Sequence, residues 1–352
     1  MVAYEEKTLL KERFFMNIPL EGASVRSRKL ERFKCQAVPA ARVVPTLAED
    51  VLQGFARRPR VLPPKYFYDA LGSELFDQIC DTPEYYPTRT EARLLDQSAH
   101  SIICQVKPEH IIELGSGTSR KTAHLFEACE ANGLEPSYWP FDVCEEVLHA
   151  AAEALLEAHP WLSVQALIGD YSAGLAHLPQ PAGRRLFVFL GGTIGNLTPE
   201  ESIAFLSELR GLMREGDAFL LGADRTKAPR LLQAAYDDAS GLTAEFNRNV
   251  LNVINRALRG DFNPHAFDHL ALYNEALQRI EMYLVARHDQ EVHLMALERR
   301  YGFLHGERIL TEISRKFTAE SLTAELRAAR LNPIRHYQTE DQYFSLVLAQ
   351  PS

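Results

Sequence analysis

Ile111-Ile112-Glu113-Leu114-Gly115-Ser116-Gly117-Thr118 reads as a buried strand that ends in an acid and runs into a glycine turn. Residues 119–129 follow as a helix, with Leu125, Phe126 and Ala128 available to pack back on a sheet. A strand, a G-x-G turn and a helix bring backbone N–H groups and a helix N-terminus to a ligand in the crevice of an open α/β sheet. The third glycine of the dinucleotide fingerprint is missing, because Gly117 continues with Thr118, Ser119 and Arg120. A pyrophosphate needs the close approach that the full pattern allows, whereas a nucleoside without phosphates does not. S-adenosylmethionine therefore fits this turn better than a nicotinamide dinucleotide. A lone G-x-G is a weak signal, so the other contacts must come from elsewhere in the chain.

They follow in order. Tyr138-Trp139-Pro140-Phe141-Asp142 is an apolar run ending in an acid. Asp142 lies about 25 residues past the turn, near the offset at which a carboxylate meets ribose hydroxyls. It is equally placed to cap a helix over residues 143–159. A third strand ends in Gly169-Asp170-Tyr171, where Asp170 can accept from an adenine amino group and Tyr171 can flank the ring. Leu186-Phe187-Val188-Phe189-Leu190 and Ala218-Phe219-Leu220-Leu221 are apolar on both faces, as central parallel strands are. The sheet proper is expected to begin near His110, and strands at residues 333–338 and 343–348 complete it.

The 352 residues suffice for one large or two modest domains. A formal net charge of -9 leaves no excess cation to neutralise phosphates, which argues against nucleic acid as a partner. No apolar run approaches a membrane span, and the chain does not open on a signal peptide, so a cytoplasmic protein is expected. Cys35, Cys80, Cys104, Cys129 and Cys144 lack metal-ligand spacing and read as reduced core thiols, with no metal site. Residues 1–43, with the basic stretch 26–32, read as a loosely ordered extension. Residues 228–238, 243–258 and 274–278 are expected as helices, and 280–285 and 298–303 as strands. This text between Asp224 and Leu310 is too long for a simple crossover and predicts an added lobe.

Tyr66-Phe67-Tyr68-Asp69 and Pro83-Glu84-Tyr85-Tyr86-Pro87-Thr88-Arg89 concentrate aromatic hydroxyls ahead of the glycine turn. They can wall a pocket with free polar tips, or simply bridge core and solvent. Asn196, just past the fourth strand, is placed beside the sulfonium carbon, where an amide can bind an amine and a carboxylate. It competes with Thr198 as the cap of the next helix. Residues 311–317 alternate as a strand, so Glu312 and Ser314 share one face. That face either reads a ring N–H or is solvated.

These segments closely resemble the histidine-specific methyltransferase family. The motifs are residues 65–73, 83–89 and 113–119, Gly191-Gly192-Thr193-Ile194-Gly195-Asn196, Ala234-Ala235-Tyr236-Asp237-Asp238 and Thr311-Glu312-Ile313-Ser314-Arg315-Lys316-Phe317. The resemblance runs from about residue 44 to the C-terminus. It implies a class I S-adenosylmethionine methyltransferase, an α/β Rossmann-like open twisted sheet with an inserted substrate-binding lobe. The core would comprise residues 91–226 and 316–352, and the lobe residues 44–90 and 227–315. Gly115, Lys121, Asp142, Asp170 and Tyr171 would contact S-adenosylmethionine. Asn196 and Tyr236, the residues nearest the chemistry, would hold the amine and carboxylate of L-histidine, with Gly191 nearby. Tyr68, Tyr85, Met282, Glu312 and Ser314 would surround the imidazole. The implied reaction converts the α-amine of L-histidine to its trimethylated form, hercynine, the first step of ergothioneine biosynthesis. A monomer is expected. The competing readings are a methyltransferase for another aromatic amino acid, such as tryptophan, and a non-catalytic relic that only binds.

Overall fold

The structure, a computed structural model, describes residues 32–352. Eight strands form one open sheet in the order β1 (Phe33–Ala37), β5 (Val164–Ile168), β4 (Ser137–Asp142), β3 (His110–Leu114), β6 (Arg185–Phe189), β7 (Ala218–Asp224), β14 (Phe344–Pro351) and β13 (Leu331–Gln338). Neighbours are parallel from β1 to β7, and β14 runs antiparallel between β7 and β13. Alternation explains why these runs are apolar throughout. Ile111, Leu186, Val188 and Leu220 face a layer containing α3 (Tyr86–Val106), α4 (Ala123–Ala131) and α5 (Glu145–Ala158). Ile112, Phe187, Phe189 and Leu221 face α6 (Pro199–Leu212) and α9 (Ala319–Ala328) on the other side. A sheet covered on both faces needs no polar stripe.

A second sheet has the order β2 (Arg60–Val61), β12 (Arg308–Arg315), β9 (Arg279–Ala286) and β8 (Phe267–Asn274), accompanied by a hairpin of β10 (Gln290–Leu294) and β11 (Arg299–Phe303). It shares a core with α1 (Leu47–Phe55), α2 (Ala70–Asp81), α7 (Pro229–Ala235) and α8 (Leu242–Leu258). The chain leaves the large sheet after β7 and returns after β12. The two passages are tied at a neck, where Phe317 N donates to Asp224 O (2.9 Å) and Thr226 N donates to Phe317 O (3.0 Å).

Several expectations need correction. The large sheet does not begin near His110, because Phe33–Ala37, expected in a loose extension, forms its edge strand against β5. The rest of the basic stretch, residues 26–31, lies outside the described residues. The helix expected from residue 119 starts at Ala123. Glu113 is buried and accepts from Thr122 Oγ1 (2.6 Å) and from the Tyr138 hydroxyl, which also reaches Ser119. This network holds residues 116–122 in turns, with Ser119 left-handed (φ 56°). Residues 274–278 are not a helix: Asn274 ends β8 and residues 275–278 form the β8–β9 turn, with Leu277 N donating to Asn274 Oδ1 (3.1 Å). Strands β8 and β10 were not expected, since short apolar runs fit either period. Of the five cysteines only Cys129 is buried, and Cys104 is exposed. The fold also brings Cys35 together with Glu145 and His149, a surface trio that sequence spacing does not reveal.

Candidate active site

At the carboxyl edge of the parallel strands, Gly115 (φ 65°) and Gly117 (φ 49°) adopt left-handed conformations that favour glycine. A Cβ on Gly117 would meet nothing within 4 Å, so the turn is open on that side, as a nucleoside site requires. Asp142 Oδ2 accepts from Gly117 N (2.9 Å) and Oδ1 from Cys144 N (3.1 Å). The N-cap position of α5 belongs to Cys144, so Asp142 braces the glycine turn and is not the helix cap. A carboxylate holds about four lone pairs, which leaves capacity for ribose hydroxyls. Asp170 Oδ1 accepts from Ser172 N (2.7 Å), opening the short turn that carries Tyr171. The Tyr171 ring packs edge-on against Phe189 (5.7 Å) and Phe205 (5.8 Å), beside Gly115. Burial pushes its hydroxyl up to about 12, so it stays neutral.

The next turn, residues 191–196, joins this edge to the lobe. Glu91 is 1% exposed; its carboxylate accepts from Gly191 N (2.9 Å) and pairs with Lys121. At Gly195 a Cβ would lie 2.8 Å from Arg315 O and 3.5 Å from Ser314 Oγ, so glycine lets the turn lie directly on β12. Thr198 and Glu201 form a reciprocal capping box that starts α6. Asn196 is thus released from capping, and its half-buried amide has no hydrogen-bond partner among the described residues.

Lobe aromatic rings form the facing wall. Tyr68 contacts Phe76 (5.7 Å) and Phe246 (5.7 Å), and Tyr85 contacts Phe76 (5.9 Å) and Tyr236 (6.1 Å). Neither the Tyr68 nor the Tyr85 hydroxyl has a partner among the described residues. Met282 is directly opposite Glu312 in the β9–β12 pairing and is buried. Glu312 has neither an ion pair nor a hydrogen bond there. Burial pushes its carboxyl up to about 7, a rise that Lys316 only partly offsets. A solvated strand face would produce no such shift, so Glu312, which is part-buried, is not on a solvated face. Polar tips without a partner among the described residues, on Tyr68 and Tyr85 near Glu312 and on Asn196, mark a candidate ligand site.

Beneath Ser314 lies a cluster that sequence reasoning missed. Lys316 Nζ donates to Asp224 Oδ2 (2.8 Å), Tyr236 Oη (3.0 Å) and Ser314 Oγ (2.9 Å). Asp224 also pairs with Lys227 (2.5 Å) and accepts from Tyr86 (2.7 Å). Burial pushes the Asp224 carboxyl up, but the two lysines outweigh it and hold the group below its ordinary value. Burial brings Lys227 down to about 8. The signal for Lys316 was present in the strand alternation, since 312, 314 and 316 share one parity. For Glu91 it was an acid on the apolar stripe of Leu94, Leu95 and Ser98 in α3.

A class I sheet with a glycine turn shaped for a nucleoside, beside packed aromatic rings and an unpaired amide, defines an S-adenosylmethionine-dependent methyltransferase. Residues 47–351 match the histidine-specific, S-adenosylmethionine-dependent methyltransferase family, and the chain belongs to it. It is 48% identical over 303 residues to the histidine N-alpha-methyltransferase of Mycobacterium tuberculosis, covering 86% of this chain and 94% of the relative. The enzyme of that name from Mycolicibacterium smegmatis is 46% identical with the same coverage. A 4-dimethylallyltryptophan N-methyltransferase of Claviceps purpurea is more distant, 27% identical over 69% of this chain and 77% of its own.

Proposed function

We propose that the protein transfers methyl groups from S-adenosylmethionine to the α-amine of L-histidine, three times, giving hercynine. The observation that carries this reading is Glu312, a part-buried carboxylate near aromatic side chains that has no hydrogen bond or ion pair among the described residues. A carboxylate there is satisfied by the ring N–H of an imidazole. Against a phenyl ring it would be left unpaired, and an indole would have to bring its single N–H to the same spot. Ser314 on the same face and Met282 opposite complete that side, with Tyr68 and Tyr85 covering the ring. Asn196 and Tyr236 hold the amino acid's amine and carboxylate beside Gly191. Gly115, Lys121, Asp142, Asp170 and Tyr171 hold S-adenosylmethionine.

S-adenosylmethionine supplies an electrophilic methyl carbon on a sulfonium, and the amine lone pair displaces it in line. The residues' work is alignment, worth on the order of 7–11 kcal/mol in well-oriented systems. The amine must be neutral at attack, and its proton passes to water. Asn196, whose amide has no hydrogen-bond partner among the described residues, is suited to orient the lone pair. Fungal relatives named ergothioneine biosynthesis protein 1 agree with a role in the first step of that pathway. A monomer acting in the cytoplasm is part of this proposal. No helix of the described residues is long and apolar enough to cross a membrane.

Incubation of the pure protein with S-adenosylmethionine and single amino acids, followed by mass spectrometry, tests the reading. Histidine should gain one, two and then three methyls. Methylation of tryptophan in preference to histidine would overturn it.

A further inference from the structure

Lys316 is 3% exposed and is not needed for any role assigned so far. An ammonium has three N–H donors and no acceptor. All three are engaged, with Asp224 Oδ2, Tyr236 Oη and Ser314 Oγ. The two hydroxyl oxygens also lie 2.8 Å from each other. Proton counting then fixes what the cluster can offer. Both oxygens accept from Lys316, so neither hydroxyl spends its own proton on the lysine. One proton closes the bond between the two oxygens. The other has no partner among the described residues and is available to a ligand.

Charge selects the kind of ligand. Among the described residues Asp224 is the only carboxylate ion-paired with Lys316 and Lys227, so within this group two ammoniums face one carboxylate, with Glu312 the further acid that Lys316 feels. The Lys316 ammonium sits directly behind the Tyr236 hydroxyl. An anion on the far side of the hydroxyl would be its natural complement, and an amino acid provides one in its α-carboxylate.

Resting on the histidine reading above, we propose that Lys316 is a positioning residue for the carboxylate of the amino-acid substrate, acting through the Tyr236 hydroxyl. Lys316 donates to both hydroxyls; with Ser314 as the donor in the bond between them, the Tyr236 proton is free to be offered to the carboxylate. Without the lysine, the freed Asp224 oxygen competes for that proton and the hydroxyl turns away. Because Asp224 and Lys316 stand at the neck between core and lobe, the same contact fixes Tyr236 relative to the methyl-donor edge. The effect belongs to substrate capture and leaves the cofactor site alone.

The test is a double-mutant cycle on the full chain, reading kcat/KM for L-histidine and KM for S-adenosylmethionine. Lys316→Met should lower kcat/KM for histidine at least tenfold and change KM for S-adenosylmethionine less than twofold. In a Tyr236→Phe background, the same substitution should cost less than twofold. Lys316→Arg, which keeps the charge and the donors, should recover part of the loss. An equal loss in both backgrounds would reduce Lys316 to a structural role and overturn the proposal, as would an unchanged kcat/KM in Lys316→Met. Should Lys316→Met not fold, Asp224→Asn combined with Lys316→Met removes both charges and is compared in the same two backgrounds. A parent protein that does not methylate histidine would overturn the functional reading itself, an outcome distinct from an additive cycle.

Discussion

Glu312 shows how much one side chain decides. Its alternation with Ser314 was legible in the sequence, but its environment was not, because the tyrosines near it, Tyr68, Tyr85 and Tyr236, come from distant parts of the chain. Glu312→Ala should lower kcat/KM for histidine by about 1.5–3 kcal/mol, the range for a hydrogen bond to a charged group. Discrimination against tryptophan and phenylalanine should relax with it. Parallel kinetics on the three amino acids would show this, and a histidine preference unchanged by the substitution would move specificity to Tyr68 and Tyr85. The same carboxyl predicts a pH effect on the unliganded protein. Burial raises it from 4.5 to about 7 on folding, so the fold favours the protonated form. Its contribution is most favourable below pH 4.5 and is lost as pH rises through about 7. Glu312→Gln cannot ionise and should gain on the parent across that window, reaching about 2 kcal/mol at alkaline pH. Denaturant titrations at several pH values would measure the gap, and a gap independent of pH would mean that the carboxylate is effectively solvated.

Among the elements, the turn at residues 191–196 is the joint of the site. It is held on one side by Glu91 through Gly191 N and seated on the other against the backbone of β12 through Gly195. The motif was readable in the sequence, and Thr198 could be weighed as a cap against Asn196. The Glu91 contact was not, since it joins groups 100 residues apart. Gly195→Ala places a Cβ 2.8 Å from Arg315 O, closer than the backbone tolerates. Overpacking of this kind costs about 1–3 kcal/mol. The turn should lift from β12 and carry Asn196 out of line, so kcat for histidine should fall by more than the melting temperature suggests. A variant that loses stability but keeps the parent kcat would show that the turn's seating is not what aligns the amine.

For the whole molecule, the five parallel strands from β3 to β7 were legible because each is largely apolar and ends in, or runs into, glycine or acid. Strand β1 was not, because Phe33-Lys34-Cys35-Gln36-Ala37 is mixed in character and half-exposed at the sheet edge. The neck was illegible for a similar reason, since its parts lie far apart in the chain. At the amino end of the sheet, away from the site, Arg185 and Asp217 form a fully buried pair (2.5 Å), with Asp217 also accepting from Arg185 N (3.0 Å). Removing one partner strands the other charge, a loss of about 3–5 kcal/mol. Asp217→Ala should therefore depress the melting temperature strongly while KM for histidine and S-adenosylmethionine stay at parent values in the folded fraction. A shift in either KM would show that strain at this end of the sheet reaches the other.

The placement of β14 between β7 and β13 sets a schedule for biosynthesis. β7 can join β6 as soon as it leaves the ribosome, but its other neighbour emerges only about 120 residues later, after the entire lobe. Throughout that interval one flank of β7 displays unpaired amides and carbonyls, the kind of edge on which nascent chains stick to one another. The lobe can gather its own apolar residues meanwhile, and the last strand then closes both the sheet and the period of exposure. Translation speed across residues 225–343 should accordingly govern the soluble yield, with the final strand acting as the latch.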